Sequence, residues 1–543
     1  MSLIIDLARL EAVDSGRATP IATVRHRHLS TRPLVFVPLT TAGETGAPLG
    51  ALVGTERTAP RLLVVPQPRD RDLRFAFLAD LADVVVPYIE SFADDPGNVE
   101  LTERSERDPE TGKRVKVEAE LCADAPQIVV PSAAGIGFVR LLGRSTRFRR
   151  TAEQDPDEPY PAPARLPLLG RWLTHYGERA RVPGSSLLLA MTDLLARHWA
   201  TGQSGLEDQH LGALLGWLRP PAGSTGAEAA RRAELARDKA GQLLCPPAGP
   251  ATDPAFDNHL LAPALDRHAR ARTALAAAED GVRADTLLAG LTAAEDEIRA
   301  LVASRTRPTW DAVWRGLDLL CTLPEGAHVV DRWTRDRWSF TGHRDRVAAG
   351  EPPQPRLDDA VTSARKLAAR EREQARLDAQ EALDDPLVMA VRRLAGEAFC
   401  GEVTEVVMAH SEGKRPAPRP LVTVRTADSP HLAPGTRVFR SLDGRPQSAQ
   451  YVGRGAEESA GAAPADDGTR LLVLRLLDKM GRGGDPEPGS VPEPGDRLCW
   501  TLFEHDQRGG PELPEPEETP WTHGGPPGEQ PSAPDPVTAE DVL

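Results

Sequence analysis

GEAFCGEVTEVVMA, residues 396–409, marks the point at which the chain changes its period. Upstream of Gly396 apolar residues recur at steps of three and four, as on one face of a helix. Beyond it they alternate with polar ones, as along a half-buried strand. By that rule six short strands follow: Val403–Ala409, Leu421–Thr426, Thr436–Arg440, Ala449–Gly453, Leu471–Leu477 and Arg497–Phe503, separated by Pro/Gly turns. Two of them share a launching turn, Pro434-Gly435-Thr436-Arg437-Val438 and Pro494-Gly495-Asp496-Arg497-Leu498. Residues 397–505 are therefore expected to form a small β-barrel, SH3-like or OB-like, with Gly455–Gly468 as a loose internal loop.

Moving towards the amino terminus, residues 168–396 predict an all-α bundle. Ser185 or Ser186 is placed to cap a helix over Leu187–Trp199, and Leu206–Leu218 supplies another before Arg219-Pro220-Pro221. Leu275, Ala278, Val282, Leu288, Leu291, Ile298 and Leu301 form one stripe, predicting a helix from about Ala274 to Val302. Leu357–Leu383 predicts a second long helix, whose small seam is broken by Glu371 and Asp378 and so suits packing along a bundle better than a coiled coil.

Thr151–Pro167 carries five prolines and is expected to be a linker. Ahead of it, residues 1–150 predict an α+β domain. Strands are expected at Ile21–Leu29, Pro33–Leu39 and Arg61–Val65. A helix carrying Phe77, Leu78, Leu81, Val84, Val85 and Tyr88 should end near Pro87, and a hairpin of Val99–Glu103 with Arg114–Leu121 should turn at Asp108–Gly112. The whole reads as an α+β multidomain protein: N-terminal α+β domain, linker 151–167, central helices, small barrel, and a disordered acidic Pro-rich tail over 506–543.

Charge and composition narrow the function classes. The net charge is −15, but residues 504–543 hold ten acids and one base, so the body is only mildly acidic. Six Lys stand beside 59 Arg, a ratio that a GC-rich coding sequence writes by codon bias, which weakens Arg density as a sign of nucleic-acid binding. The opening MSLIIDLARLEAVD has no basic leader region, and no apolar run reaches the ~18–20 residues that span a bilayer, so a cytoplasmic protein with no membrane contact is expected. Five widely spaced cysteines predict reduced thiols, with neither a disulfide framework nor a metal knuckle.

No linear motif for nucleotide binding or nucleophilic catalysis is present. Gly413-Lys414 lacks a phosphate-cradling loop, and Gln127–Gly137 reads as a plain strand-to-helix connection. His26 and His28 have strand spacing for two metal ligands, but no third ligand is placed and Arg25, Arg27 and Arg32 would repel a cation. No metal and no cofactor is expected.

Two candidate binding surfaces stand out. Trp310, Trp314, Arg332, Trp333, Arg337 and Trp338 combine the residue types that dominate binding hot spots and that stack on bases, with core packing as the competing reading. Arg140, Arg144, Arg147, Arg149 and Arg150 contain no acid among them and would line a helix beginning near Ala134, a geometry suited to an anionic partner. The acidic tail is a candidate to fold back over that patch and compete for it.

Together these features suggest a non-enzymatic accessory or scaffold subunit of a cytoplasmic assembly, with a protein partner on the helical centre and nucleic acid as a candidate second partner. A stand-alone nucleic-acid-binding protein is the first alternative. An enzyme with a dispersed site is the second, and its mark would be a deep pocket gathering His175, His198 or His343 with carboxylates.

Overall fold

The computed structural model describes residues 3–93, 97, 99–107, 114–277, 283–412, 416–442, 445–455, 468–481 and 485–503. The expected turn at 108–112, the Gly413-Lys414 pair, most of the 455–468 loop and the acidic tail lie outside the described residues.

The chain begins with α1 (Leu3–Ser15), the short β1 (Thr19–Pro20), then β2 (Leu34–Thr41), β3 (Glu44–Gly54), β4 (Arg61–Val64) and α2 (Arg71–Ala93). A two-stranded ribbon follows, β5 (Val99–Arg107) with β6 (Arg114–Cys122), and then β7 (Ile128–Val130), α3 (Ala133–Thr146), α4 (Leu166–Arg179), β8 (Leu188–Ala190) and α5 (Met191–His198). After β9 (Trp199–Ala200), which pairs with β1, come α6 (Leu211–Leu218), α7 (Gly226–Leu235), α8 (Pro254–Phe256), α9 (Ala262–Ala276), α10 (Arg283–Leu320), α11 (Val329–Ala348), α12 (Ala360–Asp384) and α13 (Pro386–Leu394).

One five-stranded sheet of order β4-β3-β2-β7-β8 organises this region. Within it β2, β7 and β8 run parallel, and β3 and β4 antiparallel to their neighbours. Its strands are apolar on both faces, and the period of two sorts them cleanly. Leu34, Phe36, Ala51, Val53, Ile128, Val130, Leu188 and Ala190 face a core built with α2, α3, α4 and α11. Val35, Val37, Leu52, Val129 and Leu189 face a second core built with α5, α6 and α10. Helices thus cover both faces, the arrangement that a parallel sheet of continuous apolar strands requires.

The centre of the chain is helical, as expected, and its helices pack on the sheet that begins in residues 34–64. β8 comes from within the expected helical region, and α10 and α11 supply side chains to the cores on either face of the sheet. The 151–167 segment does not separate one core from another, since Ala162, Leu166 and Leu169 are buried in the same cluster as Leu34 and Val130. Leu187-Leu188-Leu189-Ala190 was expected as the start of a helix. A short apolar run buried on both faces carries no periodicity to separate strand from helix, and the helix begins only at Met191.

Three smaller differences have equally direct causes. α2 runs through Pro87 to Ala93 instead of stopping there. Pro87 is exposed, so the carbonyl it leaves without a donor faces water. The 274–302 helix is two elements, α9 and the longer α10. Ile21–Leu29 is not a strand but an extended segment held by buried side-chain contacts, with one bridge from Arg25 to Glu325.

Downstream of Gly396, whose φ of +73° ends the helical region, the expected barrel is present. β10 (Ala398–Val407), β11 (Leu421–Thr426), β12 (Arg437–Leu442), β13 (Arg445–Arg454), β14 (Arg470–Leu476) and β15 (Arg497–Thr501) close in the order β10-β11-β14-β13-β12-β15. Phe399, Val403, Val422, Val424, Leu472, Leu474 and Trp500 fill it. The described helices include none long and apolar enough to cross a membrane.

Candidate anion-binding cleft

A chemically loaded hollow lies where the end of α4 meets α11 and α12. It has a volume of about 400 Å3 and is lined by His175, Glu178, Arg179, Val182–Ser185, Arg332, Arg335, Arg346, Gln354, Lys366, Ala369, Arg370 and Glu373. Six cationic side chains and two carboxylates line it, and Asp336 and Asp358 just outside the lining pair Arg179 and Lys366, which leaves two cations in excess. The imbalance does not come from one charge run, because the cations are gathered from three helices.

Local structure explains how they converge. α4 begins with Pro167 in its first turn, where the missing N–H costs nothing, and ends in a tight loop at 180–186. Gly184 in that loop has φ +86°, and a Cβ there would lie 2.9 Å from Arg332 Cδ, so glycine both permits the turn and lets the Arg332 stem pass. The loop is pinned by Asp336 of α11, which is fully buried. Asp336 accepts from Arg179 Nη2 at 2.6 Å, Ser185 Oγ at 2.8 Å and the Ser186 backbone N–H at 2.6 Å. α12 starts at Asp359, whose side chain accepts from Thr362 N at 2.7 Å, and its Lys366, Arg370 and Glu373, spaced four and three apart, look into the cleft from one face.

Several donors in this wall have no acceptor. Arg332 is 3 % exposed; its Nη1 donates to Gln380 and its Nη2 to the His26 carbonyl, but its Nε–H has no partner. Arg179 Nε and His175 Nε2 are likewise buried and unpartnered. Burial pushes the Arg332 and Arg335 guanidinium groups down from their ordinary value, the signature of cations stripped of water without full compensation. Arg335 and Arg370 are each held by one carboxylate, Glu373 at 3.4 Å and Glu178 at 2.9 Å. Arg346 has no ion-pair partner among the described residues.

His175 of the cleft wall stacks on His343 with centroids 4.3 Å apart and planes 8° apart, and Trp172 sets its edge against His343 at 4.7 Å. Burial, and then the neighbouring His343 and Arg179, push His175 well below the usual imidazole range. Burial, and then Arg346 and Arg171, hold His343 down at about 3. Both rings are neutral at pH 7 and add hydrogen-bonding capacity without charge. His198 lies elsewhere, stacked on His26 at 5.9 Å.

The residues singled out from the sequence are dispersed. Trp310 is fully buried in the core beneath α10, donates from Nε1 to the Arg57 carbonyl, and meets the partly buried Trp314 edge-on at 5.9 Å. Trp333 is buried in the core on the opposite face of the sheet and donates to Asp124. These tryptophans therefore do not build one stacking surface. Their helical spacing signalled core, and the sheet between them separates the two groups. Arg337 donates to the Cys122 carbonyl and pairs with Glu100, and Trp338, also on α11, is half-buried. Of that set only Arg332 reaches the cleft.

The Arg140–Arg150 cluster is also divided. The Arg140 stem packs over Gly177, and Arg147 is buried and donates from Nε to the Gln354 carbonyl at 2.8 Å. Arg149 lies near the Phe75 ring, Arg150 pairs with Asp155, and Arg144 sits half-buried in the last turn of α3. His26 and His28 go separate ways, His26 to Asp385 at 3.2 Å and His28 to a stack on Trp333 and to Glu325. The described residues contain no group of three or more ligands able to hold a metal ion. The Gln127–Gly137 turn packs tightly, because a Cβ on Gly135 would lie 2.8 Å from Val130 Cβ and Ser132 Oγ donates to Ala248 O.

Arg179, Arg335, Arg346, Lys366 and Arg370 were not anticipated as a site. The one signal for them was the Lys366–Arg370–Glu373 spacing, which reads equally as a solvated helix face. Comparison of the chain with protein-family models, curated proteins and solved structures returns no match.

Proposed function

We propose that this protein is an accessory protein that binds a small polyanion, of the phosphate-ester or pyrophosphate class, in the cleft between α4, α11 and α12. The observation that carries the reading is the pair of desolvated, unpartnered donors Arg332 Nε and Arg179 Nε, with the unpartnered ring nitrogen His175 Nε2, behind a rim of Arg335, Arg346, Lys366 and Arg370. Guanidinium groups match phosphate oxygens two at a time, and each such bond in a partly dry site contributes about 1.5–3 kcal/mol. Val182, Pro183 and Ala369 give the same cleft an apolar wall for the uncharged portion of a ligand. The proposal includes the accessory role in a cytoplasmic assembly, and the barrel as an SH3-like or OB-like module contacting a protein partner. Six closed strands following directly on α13 support the barrel itself, and its partner contact is part of the proposal.

Isothermal titration of the full chain with pyrophosphate, ATP and inorganic phosphate tests it. Saturable binding is expected, weakened at least about tenfold in an Arg335→Gln, Arg370→Gln variant, since each tenfold is about 1.4 kcal/mol. Absence of binding at about millimolar ligand, or an unchanged affinity in that variant, overturns it.

One observation favours a second reading, an enzyme acting on such an anion: His175 lines the cleft together with Glu178 and Glu373. Phosphate release from a bound ester that is lost in His175→Asn while binding persists would select that reading.

A further inference from the structure

The barrel holds a chemical feature that the anion cleft does not explain. Cys400 on β10 and Cys499 on β15 stand directly opposite in register and are joined by a disulfide, against the expectation that all five cysteines are reduced. Wide sequence spacing, 99 residues, conceals the pair because the barrel closes by bringing its first and last strands together. The Cys400 N–H donates to Asp428 Oδ2 at 2.8 Å, so it is not spent on the ladder to Cys499. Positions of this kind are where facing side chains of antiparallel strands stand closest, and the two Cα atoms are 4.1 Å apart.

The bond is not sealed in the core. Both cysteines are half-buried, pack on one side near Met389 of α13, and line a surface cavity of about 510 Å3. That cavity also has Arg393, Arg425 and Arg497 in its wall, against the single carboxylate of Glu402. Arg393 is committed to Asp428 through two hydrogen bonds of 2.7 and 3.0 Å. Arg425 and Arg497 are exposed and make no ion pair among the described residues. The three remaining cysteines differ: Cys122 is buried, Cys245 is half-buried with its thiol pushed up by burial, and Cys321 is exposed.

We propose that Cys400–Cys499 is a thiol–disulfide exchange site for a small anionic thiol, with Arg425 and Arg497 drawing its carboxylates to the cavity. The thiolate of the small molecule attacks one sulfur of the pair. A new S–S bond forms between them, the Cys400–Cys499 bond breaks, and the other cysteine leaves as a thiolate that takes a proton from water. A second small thiol then attacks the mixed disulfide, releasing the oxidised small-molecule dimer and leaving both cysteines reduced. Two thiols thus supply the two electrons. Reduction removes the covalent tie between β10 and β15 while their backbone ladder remains.

Glutathione, with two carboxylates, and cysteamine, a cationic thiol, are the probes, with rates compared per thiolate on the air-oxidised full chain by intact mass and peptide mapping. Glutathione is expected to react about tenfold faster than cysteamine, the scale on which local charge raises encounter rates, and to be found on Cys400 or Cys499. An Arg425→Gln, Arg497→Gln variant, exchanging two exposed side chains, should lose that preference. Equal rates for the two thiols, a preference unchanged in the variant, or alkylation of Cys400 and Cys499 as free thiols without reductant each overturn the proposal.

Discussion

Asp336 shows how much one buried carboxylate can fix. It holds Arg179, Ser185 and the Ser186 N–H at once, and with them the loop that forms one wall of the cleft. Asp336→Ala leaves Arg179 without its counter-charge, and breaking a buried pair in this way costs about 3–5 kcal/mol. Urea unfolding should show that loss, and a midpoint within error of the parent would contradict it. Buried histidines set a pH dependence, His343 and His198 among them. Burial holds His343 down at about 3 and His198 at about 4, against an ordinary value of 6.5. Between pH 6.5 and 4 the unfolded chain binds the extra protons, so stability falls with pH by up to about 2–3 kcal/mol per unit for the two groups together. Asp385 adds to this lower down. Burial raises its carboxyl, but the His26 ring and the Thr23 and Leu387 backbone N–H groups outweigh that and hold it at about 2. Its contribution is whole above its ordinary 3.8 and disappears as the pH falls through 2. Urea midpoints at pH 7 and 5 measure the histidine slope, to which the depressed His175 also contributes, and His343→Phe should reduce it without abolishing it. Little of this was legible in the sequence, because a lone His or Asp shows its type and not its depth.

At the scale of elements, packing between α3 and α4 relies on residues that the sequence makes look incidental. A Cβ on Gly170 would lie 2.4 Å from Arg147 N and 2.5 Å from Thr146 Oγ1, so Gly170→Ala must push the helices apart. About 1–3 kcal/mol of lost stability is expected, read as a lower thermal midpoint. The barrel offers a second test. A disulfide closing a loop of 99 residues contributes roughly 4–5 kcal/mol by the chain-entropy account. The Cys400→Ala, Cys499→Ala variant should therefore lose near-UV signal from Trp500 at lower denaturant than the oxidised parent. β11 and β14 were readable because each has one buried and one more open face, which writes a period of two. β3 was not, since Glu44–Gly54 carries four glycine or proline positions that read as turns. β8 was not because both its faces are buried, and α2 overran its expected end because an exposed Pro87 costs a helix less than an interior one.

For the whole molecule, the central sheet joins segments that lie far apart in the sequence. Sequence neighbours suggested separate α+β and all-α units, yet α10 and α11 reach back across more than 100 residues to cover the two faces of strands β2, β7 and β8. Local periodicity cannot report such long-range contacts. The same connectivity builds the cleft, whose cations come from α4 and, far along the chain, from the consecutive helices α11 and α12. Hydrogen–deuterium exchange on the full chain, with and without saturating pyrophosphate, locates the bound anion. Slowed exchange is expected at residues 175–186, 332–346 and 354–373 alone. Protection that instead falls on 140–150 or on the barrel strands between 398 and 501, with the cleft unchanged, would contradict it.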